Sequence, residues 1–116
     1  MKSIINPLKN LNTTDRLILK SVKKFSREQL PNYLNNKNEY RNLYKEMGKL
    51  GILGCTFKTY NFPGVSKKMY GLISKELEYI DSSFRGAFSV QSSLVIGSII
   101  NYGTKDTISN YIGDLK

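Results

Sequence analysis

The sequence contains no histidine and no tryptophan, and only one cysteine and three prolines among 116 residues. Without histidine, Ser-His and Cys-His nucleophile pairs are excluded, as is any zinc motif that needs an imidazole. One cysteine excludes a disulfide framework within the chain and a multi-cysteine metal site. Three prolines exclude a proline-rich linker. Acid is also scarce: 9 Asp+Glu face 18 Lys+Arg, for a formal net charge of +9. Chemistry by this chain alone would need carboxylates, Lys, Arg, Tyr or Cys55. Cys55 has no imidazole to activate it, so a packed free thiol is the expectation. Glu76 and Glu78 are two apart, diverge on a helix and do not form an acid/base pair. No phosphate-cradling glycine loop of Rossmann or Walker type is present. No catalytic residue and no metal ligand is assigned.

What is present fits one globular domain. The chain is 40% hydrophobic and 23% charged, and its length suits a single core. The charge is uneven, +10 over residues 1–70 and −1 over residues 71–116. A basic half can face nucleic acid or an anionic membrane. Lys20, Lys23, Lys24, Arg27, Lys37, Arg41, Lys45 and Lys49, however, fall mostly opposite apolar helical positions, which describes a solvated helix face. Lysine also outnumbers arginine, whereas base and phosphate recognition favours the arginine fork. Nucleic acid is therefore not an expected partner. The N-terminus lacks the apolar stretch of a secretory signal and the Arg-rich pattern of a transit peptide. Residues 86–104 carry no charge, but Ser89, Gln91, Ser92, Ser93, Ser98 and Asn101 are too polar for a lone span in lipid. The expectation is a helix buried inside a protein, and no membrane span.

The pattern predicts an all-α bundle of about five helices. Residues 1–12 should be irregular, with the domain over 13–116. Thr13 and Thr14 are candidate N-caps for a helix whose stripe is Ile18, Val22 and Phe25, ending before Pro31. A second helix is expected over 38–50, with Gly51 at its left-handed C′ position. Residues 51–66 read as a loop rich in turn residues, with a weak strand at 55–60. Ser66 should cap a third helix to Ile80, striped by Met69, Ile73, Leu77 and Ile80. Asp81, Ser82 and Ser83 break it and can cap a fourth, 84–102, the hydrophobic centre. Thr104 should cap a last helix over 106–115.

Gly86, Ser89, Ser93 and Gly97 fall at i, i+3, i+7 and i+11, so an α-helix would gather them on one face of small residues. Such a face suits a closely packed helix or a flat ligand. Arg85 is the one charged side chain between Asp81 and Lys105, and it sits at the start of that helix. A cation there opposes the helix dipole. Either it pairs with Asp81 or Glu78, or it meets a carboxylate or phosphate from outside.

Residues 39–54, containing Tyr-Lys-Glu-Met-Gly-Lys-Leu-Gly-Ile-Leu-Gly, resemble the N-terminal domain of acyl-CoA dehydrogenases. The run Glu78-Tyr-Ile-Asp-Ser-Ser-Phe-Arg-Gly-Ala-Phe-Ser-Val-Gln-Ser-Ser-Leu-Val is similar to the glutaryl-CoA dehydrogenase branch. That branch reads Glu-x-x-x-Asp-Ser-Gly-Tyr-Arg-Ser-Ala-Met-Ser-Val-Gln-Ser-Ser-Leu-Val. The similarity runs over about residues 11–116. It implies oxidation of an acyl-CoA at Cα–Cβ with FAD as hydride acceptor and a glutamate as base, followed in this branch by loss of carbon dioxide. It implies that Arg85, with the residue after it, binds the substrate's distal carboxylate, and that Glu78 lies near the acyl pocket. Gly86 stands where the branch has Ser, which removes a hydroxyl donor. Asn61-Phe62-Pro63 replaces Gly-Cys-Ala, and Cys55 replaces Pro.

Members of the family add a middle β-domain that holds FAD and a C-terminal helical domain that carries the base. This chain is expected to end before both, and so to be inactive alone and unable to bind FAD by itself. The implied partners are an acyl-CoA substrate, a chain or domains carrying the flavin and catalytic regions, and, as one option, further copies of itself. The implied compartment is the cytoplasm, or the mitochondrial matrix in a eukaryote. The alternative is a non-enzymatic remnant or an anion-binding or interaction module.

Overall fold

A computed structural model describes residues 8–116. The first seven residues of the segment expected to be irregular lie outside the described residues. Every regular element among the described residues is helical. Helix α1 is Thr13–Glu28, α2 Tyr40–Lys49, α3 Lys67–Ile80, α4 Ser82–Ser89, α5 Gly97–Tyr102 and α6 Lys105–Leu115. Short 3₁₀ turns cover Leu30–Tyr33 and Lys37–Glu39, and a π-helical segment, Val90–Ile96, joins α4 to α5. Helix α1 packs on α3, α3 on α4, and α5 on α6.

Local chemistry sets most of the boundaries. Ser66 accepts from the Met69 N–H, and Thr104 accepts from the Thr107 N–H, each satisfying a donor at its helix start. Helix α1 is capped by Asn12, whose side chain accepts from the Asp15 N–H, and not by the expected Thr13 or Thr14. Asn12 is extended, as an N-cap must be, whereas both threonines lie in the helix. Pro31 sits early in a 3₁₀ turn, where its missing N–H costs nothing. Gly51 has φ 75°, the left-handed conformation expected after α2.

The core draws on all the expected stripes. Val22 and Phe25 of α1 meet Leu43 and Met47 of α2, Met69, Ile73 and Leu77 of α3, and Phe84 and Phe88 of α4 in one buried cluster. Arg27 tethers α1 to α3 from outside, 3.6 Å from Glu76 and 4.5 Å from the Tyr79 ring centre.

The strand expected at 55–60 does not form. Thr59, Tyr60, Asn61 and Phe62 make a turn with φ 55° and 64° at its centre, closed by the Phe62 N–H to the Thr59 carbonyl. Two consecutive left-handed residues end any extended run. After the turn, Pro63 has no N–H and Gly64 has φ 70°, so the two arms share only the Val65 N–H to Cys55 carbonyl bond. The loop is nevertheless core: Ile52, Leu53, Cys55, Phe62 and Val65 are buried. Cys55 is a packed free thiol, and burial pushes it up to about 11.

The expected fourth helix is one continuous rod from Ser82 to Tyr102 with a wide turn inside it. It is not buried on all sides. Phe84, Phe88, Ser92 and Ile96 face the core, while Val90 and Leu94 are 46% and 65% exposed. The π segment explains the buried set. In an α-helix every fourth residue overshoots a turn by about 40°, so four such positions would spread over about 120°. A wider i→i+5 turn falls back the other way and holds them on one face. The same turn separates the expected small-residue face. Gly97 is buried, where a Cβ would lie 3.5 Å from the Phe57 ring, while a Cβ on Gly86 would meet nothing within 4 Å.

Candidate functional site

The corner between α3 and α4 gathers the expected site residues. Asp81 ends α3 in extended geometry and accepts from the Ser83 N–H at 2.9 Å, capping α4. That backbone bond, with help from the Ser83 hydroxyl, holds the Asp81 carboxyl below its usual range. Asp81 thus serves the helix start. The partner of Arg85 is Glu78, on the last turn of α3: the Arg85 Nε donates to the Glu78 Oε1 at 3.4 Å. The two side chains are 41% and 52% exposed. Glu76, two residues earlier, points instead to Arg27, so the two glutamates diverge.

Gly86 follows Arg85 with open space where a side chain would be. The rod continues from there with Ser89, whose hydroxyl donates to the Gly86 carbonyl, and with exposed Val90 and Leu94. Ser93 lies 3.3 Å from the Tyr70 hydroxyl, and the Tyr70 ring stacks on Phe88 at 4.9 Å. The surface is therefore a cation–carboxylate pair at one end, a gap at Gly86, and an apolar strip beyond. None of the larger grooves among the described residues is lined by Arg85, Gly86, Val90 or Leu94. Such a surface is one-sided among the described residues. No metal-holding cluster of His, Cys, Asp or Glu occurs among the described residues, and no helix there is long and apolar enough to cross a membrane.

Sequence reasoning missed Ser92. It is buried, and its Oγ accepts the Gly54 N–H at 3.0 Å, fastening the 51–66 loop to the π segment. The signal was the run of apolar or small residues at a strict spacing of four: Phe84, Phe88, Ser92, Ile96.

The fold matches a known class. The model for the acyl-CoA dehydrogenase N-terminal domain matches residues 12–115, and the chain belongs to that family. Among solved structures, a glutaryl-CoA dehydrogenase from Mycobacterium smegmatis in complex with FADH2 has a TM-score of 0.79 and 34% identity, over 90% of this chain and 28% of that one. A second structure of glutaryl-CoA dehydrogenase from that organism gives 0.79 and 31%, over 91% of this chain and 29% of that one. Curated relatives include the bovine mitochondrial short/branched chain specific acyl-CoA dehydrogenase, 26% identical over 114 residues, covering 94% of this chain and 26% of the relative. Bovine mitochondrial isovaleryl-CoA dehydrogenase is 26% identical over 112 residues, covering 90% and 26%. The chain thus spans about a quarter of the length of the curated relatives it matches.

The residues described do not fit a flavin by themselves. The exposed Val90–Leu94 strip is one-sided, and neither residue lines any of the larger grooves among the described residues.

Proposed function

We propose that this domain forms one wall of the acyl pocket in an FAD-dependent acyl-CoA dehydrogenase of the glutaryl type. The flavin and the catalytic base come from other domains or another chain, and the isolated chain is inactive. The observation that carries this reading is Arg85: a guanidinium in the first turn of α4, beside an open glycine and an apolar strip, in a chain 34% identical to a glutaryl-CoA dehydrogenase. In this reading Arg85 receives the distal carboxylate of a dicarboxylic acyl-CoA, and Glu78 holds the guanidinium toward it. Val90 and Leu94 cover the acyl chain or the facing domain and exclude water. Gly86 leaves the carboxylate one hydroxyl donor short of the family pattern. Bound flavin supplies the hydride acceptor. The proposed compartment is the cytoplasm, or the mitochondrial matrix in a eukaryote.

The test mixes the chain with a polypeptide bearing the flavin and catalytic domains and follows acyl-CoA-dependent dye reduction. Reduction should rise on mixing. Arg85→Ala should raise the KM for glutaryl-CoA by about 10- to 100-fold, the value of a charge-assisted hydrogen bond, and spare butyryl-CoA. No gain on mixing overturns the enzymatic reading. One observation favours a non-enzymatic remnant instead: Arg85 lines none of the larger grooves and already has a carboxylate partner. That reading expects no gain on mixing, and any binding of dicarboxylates by the chain to be unchanged in Arg85→Ala.

A further inference from the structure

The rod from Ser82 to Tyr102 is gripped by two different partners. Helix α3 holds its first half: Phe84 and Phe88 are buried in the shared core, and the Tyr70 ring stacks on Phe88 at 4.9 Å. The 51–66 loop holds its second half. Ser92 Oγ accepts the Gly54 N–H at 3.0 Å, a Cβ on Gly54 would lie 3.2 Å from the Ile96 side chain, and a Cβ on Gly97 would lie 3.5 Å from the Phe57 ring. The Ser92 bond is the one hydrogen bond between loop and rod among the described residues. The wide turn, Val90–Ile96, falls where the two grips meet. It contains no glycine and no proline, so nothing local calls for it. With Phe88 fixed, an α-helix would carry Ser92 about 40° and Ile96 about 80° round the rod, away from the loop. The wide turn therefore reconciles two registers that α geometry cannot satisfy together.

We propose that Ser92 is the positioning residue of the outward surface: by accepting the Gly54 N–H it holds the wide turn, and the wide turn sets the direction of Val90 and Leu94. Both are exposed, and each stands midway between core positions, Val90 between Phe88 and Ser92, Leu94 between Ser92 and Ile96. Positions midway between residues that share one face lie opposite that face. Keeping Phe88, Ser92 and Ile96 in line thus keeps Val90 and Leu94 in line on the far side. Without an acceptor at 92 the loop loses its directional hold. The rod then relaxes to the ordinary i→i+4 turn, which swings Leu94 out of line with Val90. That the aligned pair meets an acyl chain or a facing domain rests on the function proposed above; the register of the rod does not.

The test reads hydrogen-bond partners directly, as scalar couplings across the bond between amide nitrogens and carbonyl carbons in the isotope-labelled full chain. In the parent, amides of the wide turn should couple to the carbonyl five residues back. In Ser92→Ala they should couple to the carbonyl four back. Val22→Ala, a buried truncation on α1, should lose stability without shifting them, and Ser92→Thr, which retains an acceptor, should keep the parent pattern. Unshifted couplings in Ser92→Ala, an equal shift in Val22→Ala, or reversion in Ser92→Thr would overturn the proposal. In the mixed dye-reduction assay, Ser92→Ala should raise KM about fourfold for glutaryl-CoA and butyryl-CoA alike, the value of one buried methylene, with kcat unchanged. Arg85→Ala affects glutaryl-CoA alone, so the two roles separate. Shifted couplings with both KM values unchanged would mean that the register does not direct the strip, and would overturn the positioning role. No dye reduction on mixing counts against the function proposed above, and the couplings alone then decide the register.

Discussion

Ser92→Ala should destabilise the domain by about 2 kcal/mol, although it removes a single oxygen from a helix with no shortage of serines. The Ser92 Oγ accepts the Gly54 N–H at 3.0 Å in a buried setting. Alanine cannot accept, and Gly54 cannot turn elsewhere. Its φ is 68°, and its Cα is hemmed in so closely that a Cβ would lie 2.8 Å from the Phe62 ring and 3.2 Å from Ile96. The amide would stay buried and unpaired, at a cost of about 1–3 kcal/mol. For a domain of this size that corresponds to a fall in Tm of roughly 8 °C. Urea unfolding gives the free energy, and hydrogen exchange gives the site: the Gly54 amide should exchange much faster in the variant. The neighbouring Ser93→Ala is the control. Ser93 is exposed and its one side-chain hydrogen-bond contact among the described residues is the Tyr70 hydroxyl at 3.3 Å, so it should cost no more than about 0.5 kcal/mol. Equal costs for the two variants, or unchanged Gly54 exchange, would refute the anchoring role.

Gly54→Ala should cost at least about 2 kcal/mol, because the left-handed φ and the contact with Phe62 both oppose a Cβ; an unfolding midpoint equal to the parent's would contradict this. Ser26→Ala should stabilise by about 1 kcal/mol, since the Ser26 Oγ is buried without a partner and alanine is the better helix former; a loss above about 0.5 kcal/mol would reveal a partner. Cys55 should make the fold sensitive to alkali. Its folded value of about 11 lies above the unfolded value near 9, so the native state holds the proton longer, and stability present below pH 9 is lost as pH rises toward 11. Two units amount to about 3 kcal/mol, and the stability difference between parent and Cys55→Ala should shrink by that order across the window.

The parts of this fold that were legible are those set within three or four residues. Ser66 and Thr104 each bond the N–H three positions on, so the sequence pattern contains the whole interaction. The stripes of α1 and α3 were legible for the same reason. Asn12 against Thr13 was decided by where the chain turns extended, a one-residue matter that side-chain type leaves open. The loop was misread at 55–60 because Tyr60 adopts a left-handed φ that its side chain gives no reason to expect. The small-residue face failed because α periodicity was applied across a π turn. The Arg85–Glu78 pairing was one of the alternatives named from sequence, since Glu78 stands two helical turns before Arg85 across the α3–α4 corner.

The weakness of the Arg85–Glu78 pair suits the role proposed for it. At 3.4 Å, with both side chains about half exposed, the pair contributes at most about 1 kcal/mol, because water screens it and two long side chains must be held still. Breaking it in the open domain therefore costs little. Once a facing domain covers Val90 and Leu94, the same guanidinium would sit in a drier setting, where a carboxylate ligand is held more strongly. Glu78 would then act against a second anion brought to Arg85 unless it stayed on the opposite side of the guanidinium, and contact through Nε leaves the two terminal nitrogens available for a bidentate grip. A pair engaged through a terminal nitrogen would have blocked that fork. On the proposed role, contact through Nε would leave the two terminal nitrogens of Arg85 to the ligand while Glu78 steadies the stem.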